Sequence, residues 1–300
     1  MESKVNLLKK RFKALAGPLT PVPTGTEPRL KKLAGIRFMI FDFYGTLFIS
    51  GVGDIGIDED SQDINAFQQA LESCGLASDE KTAMKGFDFY DQTVDEHCQW
   101  LTDEGFETPE PVIEQVWLDV LQSLKANGYI NSQPDLELAR RFAVEFEVRM
   151  NPVWPMPHLD ETIDAISAGN FELGIISNSQ FYTPVAFEAL AGRSLDEMGF
   201  NRSLLHWSFE ENLKKPSLVF YERFLEKLQG HFPDATPESV LYTGNDMLKD
   251  IYPASALGMK TALFAGDERS LKWRRDDDRC RNLEPDLVVT DLQQLIECME

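Results

Sequence analysis

The apolar run that leads into an aspartate, Phe38-Met39-Ile40-Phe41-Asp42, constrains the fold of this chain more than any other feature. A short, continuous apolar run is typical of a strand that is covered on both faces of a parallel sheet. In such sheets, functional crevices open at the carboxyl ends of the strands. The sequence therefore predicts that Asp42 lies on a tight turn at a crevice, where its carboxylate can act as a nucleophile.

The rest of the chain indicates one sheet that is interrupted by helices. After Asn151, apolar runs alternate with helical stretches, which predicts a Rossmann-like parallel α/β sheet. The runs lie at Leu173–Ile176, Leu204–Trp207, Val240–Tyr242, Thr261–Phe264 and Leu287–Val289. Residues 51–150 show helical spacing instead, as in Ile64, Phe67 and Leu71. We therefore predict an α/β core of residues 37–50 and 151–300, with a helical cap of residues 51–150 inserted after the first strand.

Charge and composition exclude several classes of partner. The net charge of −21 weighs against nucleic acid or an anionic membrane as a partner of the folded body. The apolar runs are all shorter than the roughly 18 residues of a membrane span. Four cysteines, which are far apart and form no CxxC pair, suggest neither a zinc ribbon nor a disulfide framework. A small-molecule substrate and a cytoplasmic location are the resulting expectations.

Residues 1–36 form a third compositional zone, with a net charge of +6. Val5, Leu8, Phe12 and Leu15 recur at helical spacing, which predicts a basic amphipathic helix. A linker rich in proline and glycine follows at residues 17–28. This helix could touch a membrane surface, but docking on the acidic body of its own chain or of a second copy is the favoured interpretation. A homo-oligomer is therefore a possible state.

Four short motifs occur in a fixed order along the chain. They are Asp42-Phe43-Tyr44-Gly45-Thr46, Ile175-Ile176-Ser177-Asn178, Lys215-Pro216, and Thr243-Gly244-Asn245-Asp246 followed by Asp250. Each motif alone is weak, whereas the ordered set is specific. Through this set the chain, from Arg37 onward, resembles the haloacid dehalogenase-like hydrolases that carry a helical cap after the first core strand.

The resemblance implies a role for each matching residue. Asp42 would be the nucleophile, and Lys215 would neutralise it and the charge that develops during the reaction. Ser177 would hydrogen bond to the transferring group, with Thr46 and Asn178 in contact with the substrate. Mg²⁺, which prefers oxygen ligands, would be held by Asp42, the backbone carbonyl of Tyr44, and Asp246 or Asp250. Asp250 could instead support the metal from behind or hold Lys215.

Two departures from the family pattern leave the reaction open. Most phosphatases of the family carry a second aspartate, which protonates the leaving group, where this chain has Tyr44. In addition, Asn245 occupies the usual place of the metal-binding aspartate, so that the acid comes one residue later. Either Tyr44 or a cap residue supplies the proton, or the leaving group needs none.

Three hypotheses follow from these departures. The favoured one is a Mg²⁺-dependent phosphatase that acts on a small phosphorylated metabolite through an aspartyl-phosphate on Asp42. The second is a metal-independent 2-haloacid dehalogenase, because a tyrosine at position 44 is a mark of that branch. Those enzymes grip the substrate with an arginine about thirty residues past the nucleophile, yet residues 47–80 contain neither arginine nor lysine. The third is a binding module that has lost efficient turnover.

Overall fold

A computed structural model describes residues 4–53, 64–76 and 79–299 of the chain. Its main sheet has six parallel strands in the order β5-β4-β1-β6-β7-β8. The strands are β1 (Phe38–Phe41), β4 (Glu172–Ser177), β5 (Phe200–Trp207), β6 (Val240–Gly244), β7 (Lys260–Phe264) and β8 (Leu287–Val289). All six predicted strands and the parallel α/β fold are confirmed, and β1 lies in the middle of the sheet.

Helices cover both faces of this sheet, as continuous apolar strands require. Met39 and Phe41 of β1 pack on one face, in a cluster shared with the helices α6, α7 and α11. Phe38 and Ile40 pack on the other face, against the helices α9 and α10. These helices are α6 (Leu159–Ala168), α7 (Thr183–Ala191), α9 (Leu218–His231), α10 (Tyr252–Ala256) and α11 (Gln294–Glu297), with the short α8 (Ser208–Glu211) after β5. A 3₁₀ turn (Pro237–Ser239) precedes β6, and a π-helical turn (Met247–Ile251) follows it.

The chain between β1 and β4 leaves the sheet and forms a helical insertion. Its helices are α2 (Ile64–Ser73), α3 (Glu80–Asp103), α4 (Ile113–Ala126) and α5 (Leu136–Met150). They bury Phe67, Phe87, Trp117, Phe142 and Phe146 in a separate aromatic core. Residues 54–63 and 77–78 of the segment predicted as a cap lie outside the described residues.

Two short strands that the sequence did not predict stand at the base of this insertion. Strand β2 (Phe48–Ser50) pairs antiparallel with β3 (Val153–Pro155). The pair brings the two ends of the insertion together beside Asp42. Each strand has only three residues, too few for an alternating pattern to be recognised.

The N-terminal helix α1 (Lys4–Leu15) docks on its own chain, as predicted. Leu8 and Phe12 are buried in the core of the insertion. Lys9 pairs with Glu188 of α7, and Arg11 pairs with Glu145 of α5, so that α1 touches both the sheet layer and the insertion. The following segment lies along the edge of the sheet, where Arg29 pairs with Val288 of β8. In the described part of the chain, every helix is too short or too polar to cross a bilayer.

Candidate active site

The parallel register brings three of the four motifs to one edge of the sheet. Phe41 lies beside Ile175 of β4 and Thr243 of β6. Asp42, at the end of β1, therefore faces the residues that follow those two strands. They enclose a cleft lined by Asp42, Tyr44, Gly53, Asn178, Lys215, Asn245, Asp246, Lys249, Asp250 and Lys272. Its cavity volume of about 40 Å³ holds a few water molecules, at roughly 10–15 Å³ for each.

The turn after Asp42 depends on a glycine. Gly45 has φ +79°, and a Cβ atom at this position would lie 2.6 Å from the Cβ of Ser270 and 2.9 Å from the side chain of Asn245. Only a residue without a side chain fits this close approach. Gly45 therefore lets the first motif pack directly against the fourth.

The ammonium group of Lys215 joins two carboxylates at the centre of the cleft. Its Nζ lies 2.7 Å from Oδ1 of Asp42 and 2.6 Å from Oδ1 of Asp250. All three side chains are buried. Burial alone lowers the pKa of Lys215, but the negative charges of Asp250 and Asp42 outweigh burial and raise that pKa. Lys215 is therefore a fixed positive charge beside the predicted nucleophile.

Asp250 is held between Lys215 and the turn that follows β6. Its Oδ1 also accepts a hydrogen bond from the hydroxyl of Tyr242 at 3.0 Å, and its Oδ2 accepts one from the amide of Asp246 at 2.9 Å. Burial raises the pKa of the Asp250 carboxyl to about 6, although Lys215 opposes this rise. Asp250 therefore holds Lys215, one of the three roles that the sequence left open for it.

The backbone of Lys215 is fixed by Asn178 and by a segment of the insertion. Oδ1 of Asn178 accepts from the Lys215 amide at 2.8 Å, and Nδ2 donates to its carbonyl at 3.4 Å. Just before Lys215, the amide of Lys214 donates to the carbonyl of Thr108 at 3.0 Å. Thr108 lies between α3 and α4, so the insertion is tied to the loop that carries Lys215.

The other predicted site residues face one another rather than open space. Ser177 is fully buried, and its hydroxyl donates to the carbonyl of Asn178 at 3.2 Å. Thr46 is also fully buried and donates to Oδ1 of Asn245 at 3.1 Å. The amide group of Asn245 donates in turn to the carbonyl of Ser270 at 2.7 Å. In this arrangement, the hydrogen bond between Thr46 and Asn245 holds the turn after β1 against the turn after β6.

Asp246 is occupied by partners that the sequence did not predict. Its Oδ1 accepts from the amides of Leu248 and Lys249, at 2.8 and 3.2 Å, and so caps the π-helical turn. Its Oδ2 accepts from Arg274 at 2.7 Å, in an ion pair across 28 positions of sequence. Asp246 therefore has a structural role that is independent of any metal: it caps the π-helical turn and pairs with Arg274.

The carboxylate oxygens that would hold Mg²⁺ are already engaged by protein groups. Both carboxylate oxygens of Asp246 and of Asp250 already accept hydrogen bonds from the protein, and Asp42 is paired with Lys215. An ion bound there would share these carboxylates with the positive charges of Lys215 and Arg274, which repel it. Within residues 4–53, 64–76 and 79–299, no three His, Cys, Asp or Glu side chains are grouped to hold a metal.

The hydroxyl of Tyr44 lies against Thr183 of α7 and is poorly suited to donate a proton. It lies 2.9 Å from the hydroxyl oxygen of Thr183. Burial, reinforced by the negative charge of Glu147, raises the pKa of Tyr44 well above its ordinary value. A weaker acid gives less general acid catalysis at neutral pH.

Behind Tyr44 lies a half-buried carboxyl that sequence analysis missed. Glu147 of α5 accepts a hydrogen bond from the hydroxyl of Tyr182 at 3.0 Å. Burial raises the pKa of Glu147 to about 7. No sequence signal marks this residue, because an acid near the end of an amphipathic helix is normally solvated.

The sequence analysis also missed three charged residues near the cleft, Lys249, Lys272 and Arg274. Charged residues in loops or short turns are normally solvated, so nothing in the sequence marks them.

Glu147 makes stability depend on pH in a defined direction. Its carboxyl has a reference pKa of 4.5 and one of about 7 in the folded protein, so between these values only the folded state holds the proton. The free energy of unfolding should therefore fall as pH rises through this window. We expect Glu147→Gln to remove this component, which denaturant unfolding at several pH values would measure. The exposed change Glu226→Gln should leave the wild-type dependence intact, and identical pH profiles for wild type and Glu147→Gln would contradict the prediction.

Comparison with known proteins agrees with this architecture. Residues 212–295 match a family model described as HAD-hydrolase-like. No curated protein sequence matches the chain. A 2-haloacid dehalogenase from Pseudomonas syringae pv. Tomato is similar in structure, with 20% identity, a TM-score of 0.55, and coverage of 88% of this chain and 97% of that one.

Phosphatases are also among the similar structures. An HAD phosphatase from Thermococcus onnurineus has 16% identity and a TM-score of 0.47, with 87% of this chain and 97% of that one covered. A predicted phosphoglycolate phosphatase from Haemophilus somnus has 15% identity and a TM-score of 0.46, with 88% and 97% covered. The chain therefore has the fold of these structures over most of its length, and residues 212–295 match the HAD-hydrolase-like family model.

Proposed function

We propose that this protein is a metal-independent hydrolase of the 2-haloacid dehalogenase type, which forms a covalent ester on Asp42. The observation that carries the proposal is the buried ammonium of Lys215, which contacts both Asp42 and Asp250. This ammonium group places beside Asp42 a positive charge that would otherwise come from a metal ion. It also holds the carboxylate of Asp42 in place at the end of β1, where a nucleophile can attack.

The proposed reaction has two steps. In the first, a carboxylate oxygen of Asp42 attacks the carbon that bears the leaving group. A new C–O bond forms, and the carbon–halogen bond breaks with its electron pair going to the halide. In the second step, water adds to the ester carbonyl of Asp42. One proton of this water goes to the departing alkoxide and the other to solvent, so that a 2-hydroxy acid is released and the carboxylate is restored.

The surroundings of Tyr44 support a leaving group that needs no proton. A phosphate monoester expels an alkoxide, which general acid catalysis assists by about 10² to 10⁴-fold. A halide departs without a proton. Because Tyr44 is bonded to Thr183 and its pKa is raised, the described cleft offers a halide better conditions than an alkoxide.

A Mg²⁺-dependent phosphatase is the second candidate. The observation in its favour is that three carboxylates, those of Asp42, Asp246 and Asp250, line one cleft. The positive charges of Lys215 and Arg274 beside these carboxylates oppose the binding of an ion. This repulsion is why we place the phosphatase second, although the sequence alone favoured it.

We propose further that the helical insertion acts as a cap over the cleft, as the division at residues 51–150 predicts. The small cavity beside Asp42 supports this idea, because substrate and product need a way in and out. The tie between Thr108 and Lys214 would let the position of the cap affect Lys215. Lids on rigid scaffolds commonly control access in this way.

A substrate panel with and without a chelator tests the proposal. Halide release from short 2-haloalkanoates and phosphate release from small phosphate esters would be measured in parallel, each with Mg²⁺ and with EDTA. We expect halide release that EDTA does not change. Phosphate release that requires Mg²⁺ would contradict the proposal in favour of the second candidate, and no release in either assay would favour a binding module.

A further inference from the structure

One buried glutamine joins the sheet domain to the insertion. Gln180 follows β4, two residues after Asn178, and only 7% of its surface is exposed. Its Nε2 donates to Oε1 of Glu110 at 2.8 Å and to the carbonyl of Pro111 at 3.0 Å, and its Oε1 accepts from the amide of Ile113 at 3.0 Å. Both amide hydrogens and the carbonyl oxygen of this side chain therefore hold the loop between α3 and α4.

The same loop holds the backbone that leads to Lys215. The amide of Glu110 donates to the carbonyl of Asn212 at 3.1 Å. The amide of Lys214 donates to the carbonyl of Thr108 at 3.0 Å, and the hydroxyl of Thr108 donates back to the Lys214 carbonyl at 2.7 Å. Both polar backbone groups of Lys214 are therefore bonded to the insertion.

We propose that Gln180 is a positioning residue, which acts through the loop of residues 108–113 to set the position of Lys215 beside Asp42. This inference rests on the proposed function, in which Lys215 orients the nucleophile. Among the described residues, those that line the cleft do not include Gln180. Its effect on the reaction therefore passes through the loop and the backbone of Lys214.

The proposed role makes the site depend on how the insertion is seated. Nζ of Lys215 lies 2.7 Å from Asp42 and 2.6 Å from Asp250, and a misplacement of about 1 Å in a catalytic group can cost about 10²-fold in rate. Gln180 ties to the core the loop that holds Lys214. Lys215 therefore takes its place between the two carboxylates when the insertion is seated on the core.

The donors of glutamine explain why this residue type suits the position. A glutamate has the same shape, but its carboxylate accepts hydrogen bonds and donates none. In Gln180→Glu, this carboxylate would face Glu110, whose Oε1 now lies 2.8 Å from Nε2 of Gln180. Burial already raises the pKa of the Glu110 carboxyl, so a second carboxylate should push the loop away. The swap Gln180→Glu/Glu110→Gln places a donor between the two side chains again, in the reverse direction.

The experiment compares Gln180→Glu with this swap. With the 2-haloalkanoate that the substrate panel identifies, we expect kcat to fall about 10 to 100-fold in Gln180→Glu. Because Gln180 acts through Lys215, KM should stay within about threefold, and the swap should bring kcat back to within a few fold of wild type. If thermal unfolding shows that Gln180→Glu does not fold, Gln180→Met removes the same hydrogen bonds without adding a charge and should show the same fall in kcat.

The matched control is Gln99→Glu. Gln99 donates to Asp103 at 2.8 Å on the exposed face of α3, so the same substitution beside a carboxylate should change neither kcat nor KM. A lower midpoint of thermal unfolding with an unchanged kcat in Gln180→Glu would show a purely structural role and overturn the inference. A swap variant that is no more active than Gln180→Glu would overturn it as well.

Hydrogen exchange separates this inference from the proposed reaction. The Lys214 amide should exchange at least about tenfold faster in Gln180→Glu than in wild type, because local opening frees it from Thr108, and the swap should restore its protection. If exchange behaves in this way and wild type releases no halide, the positioning role stands and the proposed reaction fails. If wild type releases halide and Gln180→Glu changes neither kcat nor this exchange, the reaction stands and the inference is wrong.

Discussion

Asp42→Asn is expected to lower turnover by about 10⁴-fold or more, because an amide oxygen cannot form the covalent ester and nucleophile replacements cost at least this much in comparable enzymes. The variant should fold, since asparagine has nearly the same shape and its carbonyl oxygen can accept from Lys215, which lies 2.7 Å from Oδ1 of the wild-type residue. The measurement is kcat under the conditions that the substrate panel identifies, together with the midpoint of thermal unfolding.

The matched control for this change is Asp88→Asn. Asp88 lies on the exposed face of α3, where it pairs with Lys85, so the same chemical substitution should leave turnover unchanged. A folded Asp42→Asn protein that keeps more than about a tenth of wild-type activity would show that the nucleophile is another group.

Lys215→Met is expected to have the second large effect, on both activity and stability. Removing the ammonium group leaves the buried carboxylates of Asp42 and Asp250 side by side without a cation. Breaking a buried ion pair in this way typically costs about 3–5 kcal/mol of unfolding free energy. Turnover should be lost as well, because Asp42 would lose the contact with Lys215 that orients its carboxylate.

The pH dependence of Lys215→Met gives an independent check. Lys215 opposes the rise that burial and the charge of Asp42 cause in the pKa of the Asp250 carboxyl, so that without Lys215 this pKa lies still further above its unfolded value. The folded variant then holds protons that the unfolded chain has lost, so its stability should recover as pH falls from neutrality. Adding Asp250→Asn should restore part of the lost unfolding free energy at neutral pH.

The control for this change is Lys227→Met, which removes one hydrogen bond to the carbonyl of Leu205. It should lower the free energy of unfolding by only about 1 kcal/mol. An equally small cost for Lys215→Met would contradict the account.

The six strands of the sheet could be predicted from the sequence for a physical reason. Strands covered on both faces must be continuously apolar, so all six were visible as short runs between helical stretches. The pair β2 and β3 was missed because three residues do not define a period. The docking of α1 was expected from opposite charges, but its partners Glu145 and Glu188 are distant in sequence and could not be named.

The site was predictable only in part. Asp42, Lys215 and Asp250 meet because parallel strands end at one edge, which the order of the motifs already implies. The pairing of Asp246 with Arg274 depends on a loop conformation with no local signal. That pairing adds to the contacts of Lys215 with Asp42 and Asp250, on which our preference for a metal-independent displacement rests.

The central claim, that Asp42 forms a carbon ester, is tested most directly by one turnover in H₂¹⁸O. With enzyme in excess over a 2-haloalkanoate and EDTA present, water should attack the ester carbonyl of Asp42. Mass spectrometry should then find ¹⁸O in the peptide that contains Asp42 and ordinary oxygen in the first 2-hydroxy acid released. Label in the product with none in Asp42 would contradict the account.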